Sequence, residues 1–167
     1  MLKIGKDISN FSTYSCQPAD KKELKQIIIK RIDEEGPNCD LNDIDTSLII
    51  DMSSLFYKSS FNGNISKWNV SKVTNMGFMF AESRFNQDIS DWNVSNVVVM
   101  TGMFSHSIFN KSISNWDVSN VKSMIHMFRE SKFNQDISNW KINKKCTIIH
   151  MFVSCDIYKE YKLKSLQ

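Results

Sequence analysis

The sequence predicts an α/β solenoid of about five coils, and three observations predict it: a 24-residue period, an apolar pattern that changes spacing within each period, and an amphipathic helix preceding the array. FNGNISKWNVSKVTNMGFMFAESR is followed by FNQDISDWNVSNVVVMTGMFSHSI, FNKSISNWDVSNVKSMIHMFRESK and FNQDISNWKINKKCTIIHMFVSCD. Aligned, they place Phe61, Phe85, Phe109 and Phe133 in one column and all four tryptophans, Trp68, Trp92, Trp116 and Trp140, in another. Ile65, Ile89, Ile113 and Ile137 form a third, and Val70, Val94, Val118 and Ile142 a fourth. A fifth, Phe56, Phe80, Phe104, Phe128 and Phe152, reaches back into a degenerate first copy beginning at Pro37. A fixed period in this range marks a solenoid, a propeller or an array, and 24 residues are too few for a four-stranded blade or a helix pair.

The N-terminal segment, residues 1–36, contains the predicted capping helix at about residues 20–35. Asp20 with Glu23 reads as a capping box, Leu24, Ile27, Ile28 and Ile32 share one helical face, and Gly36 with Pro37 stops the helix. A terminal unit with a polar outer side is what a repeat array needs over its open end.

The repeats follow as residues 37–60, 61–84, 85–108, 109–132 and 133–156, with a basic tail at 157–167, all within one domain. In each unit Ile-x-x-Trp-x-Val carries the offsets that open a leucine-rich repeat, and its Trp-x-Val alternation predicts a short strand. Val73, Met76, Met79 and Phe80 then recur at i, i+3, i+6 and i+7, which predicts a short helix. The fold class is therefore a right-handed leucine-rich-repeat-like solenoid, one strand and one helix per coil. Ser71, Ser95 and Ser119 suit N-caps of those helices. Asn62, Asn86, Asn110 and Asn134 suit turns, where a short amide side chain bonds backbone. One such coil cannot bury its apolar face alone, so stacking fixes the recurring Trp, Phe and Met identities as core.

Composition excludes several function classes. The chain of 167 residues is 41% hydrophobic and 23% charged, an ordinary folded composition. No window approaches a membrane span, and MLKIGKDISNF lacks the apolar region of a secretory signal, so no export address or anchor is expected and the sequence reads as cytoplasmic. The net charge of +3 sits in the C-terminal region, where Lys141, Lys144, Lys145, Lys159, Lys162 and Lys164 face Asp156 and Glu160. That patch lacks the arginines and interleaved aromatic residues of base stacking, so nucleic acid is not an expected partner. Cys16, Cys39, Cys146 and Cys155 have no metal-ligand spacing and read as free structural thiols. His126 and His150 are one period apart with no matched third ligand, so neither a metal site nor a cofactor is expected. A chain with five glycines offers no phosphate cradle, and no nucleophile elbow or H-E-x-x-H occurs, so no catalytic residues are assigned.

Binding is the remaining class. A polar strand ribbon flanking Trp and Val would present Lys67, Asn69, Asp91, Asn93, Asn115 and Asp117, the candidate partner-binding residues, which vary between copies while the core columns do not. The expected function is non-enzymatic protein–protein recognition or adhesion. The alternative is a homo-oligomeric structural or scaffold protein assembling through the solenoid ends.

From Asp20 to Cys155, in the helix ELKQIIIKRIDEEG and all five units, the chain resembles the BspA-type leucine-rich-repeat proteins of bacteria. That group includes a mycoplasma domain of unknown function with repeats close to FNQDISNWDVSNVTNMSGMF. The resemblance implies surface or secreted proteins that adhere to host or bacterial partners, and it implies no enzyme activity.

Overall fold

The computed structural model describes residues 14–163; the opening MLKIGKDISNF and Lys164 of the basic tail lie outside the described residues. The one α-helix, α1 (Lys21–Glu35), starts where the Asp20 carboxylate accepts from the Glu23 amide at 2.9 Å, while the Glu23 carboxylate accepts from the Ala19 amide at 2.7 Å. Gly36 ends it at φ 88, in the left-handed region that glycine enters without a Cβ penalty. Leu24 and Ile28 are buried against the first unit, and two ion pairs seat the helix there: Lys21 to Asp51 at 2.8 Å and Arg31 to Asp43 at 3.0 Å.

The predicted α/β solenoid of strand-helix coils does not form. Besides α1 the described residues contain one 3₁₀ turn, Lys159–Tyr161, and isolated parallel bridges in place of strands. The bridges join Asp51 to Asn75, Asn75 to Val99, Val99 to Ser123 and Ser123 to Thr147, so consecutive units are stacked at the repeat period without making a sheet.

Hydrogen bonding explains the difference. In the stretch expected as a strand, the Trp68 amide donates to the Ile65 carbonyl at 3.1 Å and the Val73 amide to the Val70 carbonyl at 2.9 Å, so the chain makes two tight turns. In the stretch expected as a helix, the amides of Met76, Phe78, Phe80 and Glu82 donate to the carbonyls of Val99, Thr101, Met103 and Ser105 in the next unit, at 2.8–2.9 Å. The same four-bond row links every pair of consecutive units. Amides committed to a neighbouring unit cannot make the i→i−4 bonds of an α-helix. Intervening amides bond three residues back, as Met79 to Met76 and Ala81 to Phe78, at 3.2 Å. Each double turn also holds residues at positive φ, Phe78 at 56 and Glu82 at 54, which no right-handed helix contains. Ser71 and Ser95 therefore cap nothing; their hydroxyls donate at 2.7 Å to Asn69 and Asn93.

The core is a stack of aromatic columns. Phe56, Phe80, Phe104 and Phe128 lie 5.4–5.7 Å apart between consecutive units with nearly parallel rings, and each packs on the Phe five residues later, as Phe104 on Phe109 at 4.2 Å. The Trp column also carries directional bonds. The indole N–H of Trp68 donates to Leu41 O at 2.8 Å, and those of Trp92, Trp116 and Trp140 donate to Ile65 O, Ile89 O and Ile113 O at 3.1 Å. A buried indole N–H needs such a partner, and here the partner is the preceding unit.

The Asn column likewise bonds from unit to unit rather than within its own turn. Asn62 Oδ1 accepts from the Asn86 amide at 2.8 Å, Asn86 Oδ1 from Asn110 at 2.9 Å, Asn110 Oδ1 from Asn134 at 2.9 Å, and Asn134 Oδ1 from Tyr158 at 2.9 Å. Asn86→Ala should cost about 1 kcal/mol, because the Asn110 amide loses its acceptor at a partly hydrated site. Urea unfolding followed by tryptophan fluorescence measures this.

Candidate functional site

The six ribbon residues predicted from sequence are all exposed, but they stand on turns, and among the described residues no strand ribbon carries them. Three of them serve the backbone. Asn69, Asn93 and Asp117 accept through Oδ1 from the amides two residues on, Ser71, Ser95 and Ser119, at 3.0–3.2 Å. Hydrogen bonds from the Ser119 hydroxyl and amide hold the Asp117 carboxyl below its ordinary range. The Lys67 amide is fixed by Asn42 Oδ1 at 2.8 Å, while the Lys67, Asp91 and Asn115 side chains extend from successive units. These columns vary between copies, yet half of them hold turns that the fold requires.

A better-formed concavity lies on the face made by the double turns. A groove of about 460 Å³ is bordered by Tyr57, Phe78, Glu82, His106, His126 and Arg129. These side chains project from equivalent turns of four consecutive units. Gly102 makes room for the groove: it shares the column of Phe78, His126 and His150, its φ is 59, and a Cβ there would sit 2.4 Å from the Phe78 ring. The ring of Phe78 therefore lies on the glycine while staying 44% exposed, and Tyr57 is 43% exposed beside it.

Polar contacts hold the groove walls. The Tyr57 hydroxyl donates to Glu82 Oε1 at 2.9 Å, and Lys58 stands 3.5 Å from Glu82 Oε2. His106 Nδ1 is 3.3 Å from Glu130 Oε2, whose partner oxygen accepts from Arg129 Nε at 3.0 Å. Beyond them the rings of His126 and His150 stack at 5.4 Å with an interplanar angle of 11°. Such walls offer aromatic faces for stacking and a guanidinium and carboxylates for hydrogen bonds, the mixture found in recognition pockets of this size.

Among the described residues no group of three or more His, Cys, Asp and Glu is arranged to hold a metal ion. The four cysteines are free, and burial pushes the thiols of Cys39, Cys146 and Cys155 up, away from the reactive thiolate. In the basic tail the Lys162 ammonium sits 5.6 Å from the Phe152 ring, and Ile157 and Leu163 are buried. No helix among the described residues is long and apolar enough to cross a membrane.

The groove was missed because an α-helical reading turns its positions into an undifferentiated outer face. The available signal was Gly102, a glycine in register with Phe78, His126 and His150.

The 24-residue units stacked through turn amides and aromatic columns define a repeat protein. The chain belongs to the family described as Mycoplasma protein of unknown function, DUF285, whose model matches residues 29–108 and 105–165. No curated protein matches the chain, and no solved structure does.

Proposed function

We propose that the chain is a non-enzymatic recognition module that binds another protein through the groove of the double-turn face. The observation that carries this reading is the placement of Tyr57, Phe78, His106 and Arg129, each different in kind from its register mates, with His126 around one opening on an otherwise repetitive stack. Core columns must repeat for the units to stack, so residues that differ and converge are available for contact. Exposed Tyr and Phe rings with an adjacent Arg are the residue types that dominate binding energy at protein interfaces. The resemblance of the repeats to BspA-type proteins, whose members are described as adhering to host or bacterial partners, supports the same class.

The test starts with affinity capture from source cells on the immobilised chain, followed by titration of the captured protein. Phe78→Ala combined with Arg129→Ala should weaken binding by about ten-fold or more. Asp91→Lys with Asp117→Lys, on the other face, should leave affinity within about two-fold and stability within about 1 kcal/mol. The opposite pattern would move the contact to the columns beside Trp92 and Trp116. Loss of capture without either effect would end the binding reading.

A further inference from the structure

Neighbouring columns of the double turns meet at the groove, and one of them sets its length. Tyr57, Ala81, Ser105 and Arg129 occupy the same register in four consecutive units, so two small, buried residues lie between two long ones. The opening spans Ala81 and Ser105, in a stack whose consecutive units place their Phe rings 5.4–5.7 Å apart. Phe78 belongs to the double turn of Ala81, whose amide donates to the Phe78 carbonyl at 3.2 Å, and His106 follows Ser105 in the next unit. One half of the trough is thus aromatic and the other is polar.

Ionic groups decide what such a trough accepts. Its carboxylates are already engaged: Glu82 accepts from the Tyr57 hydroxyl at 2.9 Å and faces Lys58 at 3.5 Å, while Glu130 is shared by His106 and Arg129. Lys58 also lies 5.1 Å from the centre of the Tyr57 ring, so the place an incoming cation would take on that ring is filled. Donors are left over instead. Arg129 engages Nε alone, and its two terminal nitrogens have no partner among the described residues. His106 pairs through Nδ1 and leaves Nε2 open. Free guanidinium N–H groups beside carboxylates that are already paired complement an anion.

We propose, resting on the groove as the contact face, that its occupant is an extended segment of the partner protein carrying a large apolar side chain and, two residues away, an aspartate or glutamate. The apolar side chain lies over Ala81 against the Phe78 ring, and the carboxylate meets the Arg129 terminal N–H groups and His106 beside Ser105. Spacing fits this pairing, because side chains two apart on one face of an extended chain are about 6.6 Å apart, close to the separation of two units. A basic segment would instead set its charge against Lys58 at one end and Arg129 at the other.

The probe is the end-capped synthetic peptide ESFSE, which presents the motif in either chain direction. Titrated at millimolar concentration into the whole isotope-labelled chain, it should shift the amide resonances of Phe78, Ala81, Ser105, His106 and Arg129. KSFSK should bind at least about ten-fold more weakly. Arg129→Gln should weaken ESFSE by about ten-fold while the melting temperature holds, and QSFSQ should bind the variant and the unaltered chain equally. Equal or tighter binding of KSFSK at the same resonances would overturn the acidic occupant and leave the groove reading standing. Silence of both peptides would do the same if the captured protein still loses affinity on Phe78→Ala with Arg129→Ala. Indifference of the captured protein to that pair, or peptide shifts confined to residues outside the groove, would remove the groove and its occupant together.

Discussion

Phe104→Ala is expected to lower the unfolding free energy by about 3–5 kcal/mol, the usual range for deleting a fully buried ring. Phe104 has no solvent exposure and stacks with Phe80 and Phe128 at 5.7 Å, with Phe109 at 4.2 Å and, tilted, with Trp116 at 6.4 Å. Three units therefore lose contacts at once. The cavity cannot close by local collapse, because the flanking units are held at a fixed rise by their amide rows. Phe152→Ala, at the same register position in the last unit but only partly buried, should cost about 1–2 kcal/mol. Urea unfolding of both variants measures the contrast. Equal losses would mean that the aromatic column does not carry the stack's cohesion.

Gly63→Ala should cost about 3 kcal/mol and separate the first unit from the rest, for a reason unrelated to apolar burial. A Cβ at Gly63 would lie 1.9 Å from the Cys39 carbonyl oxygen and 2.7 Å from the Phe61 ring. Because backbone is the nearer obstacle, no side-chain rotation relieves it. Two units would have to move apart where the Leu41 amide donates to Asn64 O at 3.0 Å. Gly77→Ala is the control. Its added carbon would come 3.2 Å from the Asn75 amide oxygen, a side-chain atom, and should cost less than about 1 kcal/mol. Calorimetry distinguishes the pair: two transitions for Gly63→Ala, as α1 and the first unit melt apart from the remainder, and one for Gly77→Ala.

The columns of Phe, Trp, Ile and Met were legible because they do one job in each unit, and the structure buries them together. The helix at Lys21–Glu35 was legible for a local reason: Asp20, Glu23 and Gly36 act on backbone within a few residues of themselves. What sequence spacing did not reveal is where the amides of Met76, Phe78, Phe80 and Glu82 bond. Apolar residues at i, i+3 and i+7 face one side of an α-helix, and they face the same side of a double turn whose alternate amides reach the next unit. The pattern records which side is dry and not which carbonyl accepts. Nothing in Phe78 or Glu82 as residue types announces a left-handed backbone; Gly102 alone in that register does. The ribbon residues stand out in the sequence by varying between copies, yet Asn69, Asn93 and Asp117 vary only within the set of side chains that can hold an Asx turn. Variation thus reflected tolerance there. At Tyr57, Ala81, Ser105 and Arg129 it spans size and charge alike, and shapes the groove.

Since every unit bonds only the units before and after it, shortening the chain from its C-terminal side has an unusual outcome. Proteolysis that removes the unit at residues 133–156 would leave a shorter stack and free the Met124, His126, Phe128 and Glu130 amides that the unit had bonded, the same kind of row that every internal boundary uses. Trimming would change the reach of the molecule and the side chains at its tip while its end keeps one backbone chemistry. Erosion from the N-terminal side has no such equivalence, because α1 occurs once among the described residues.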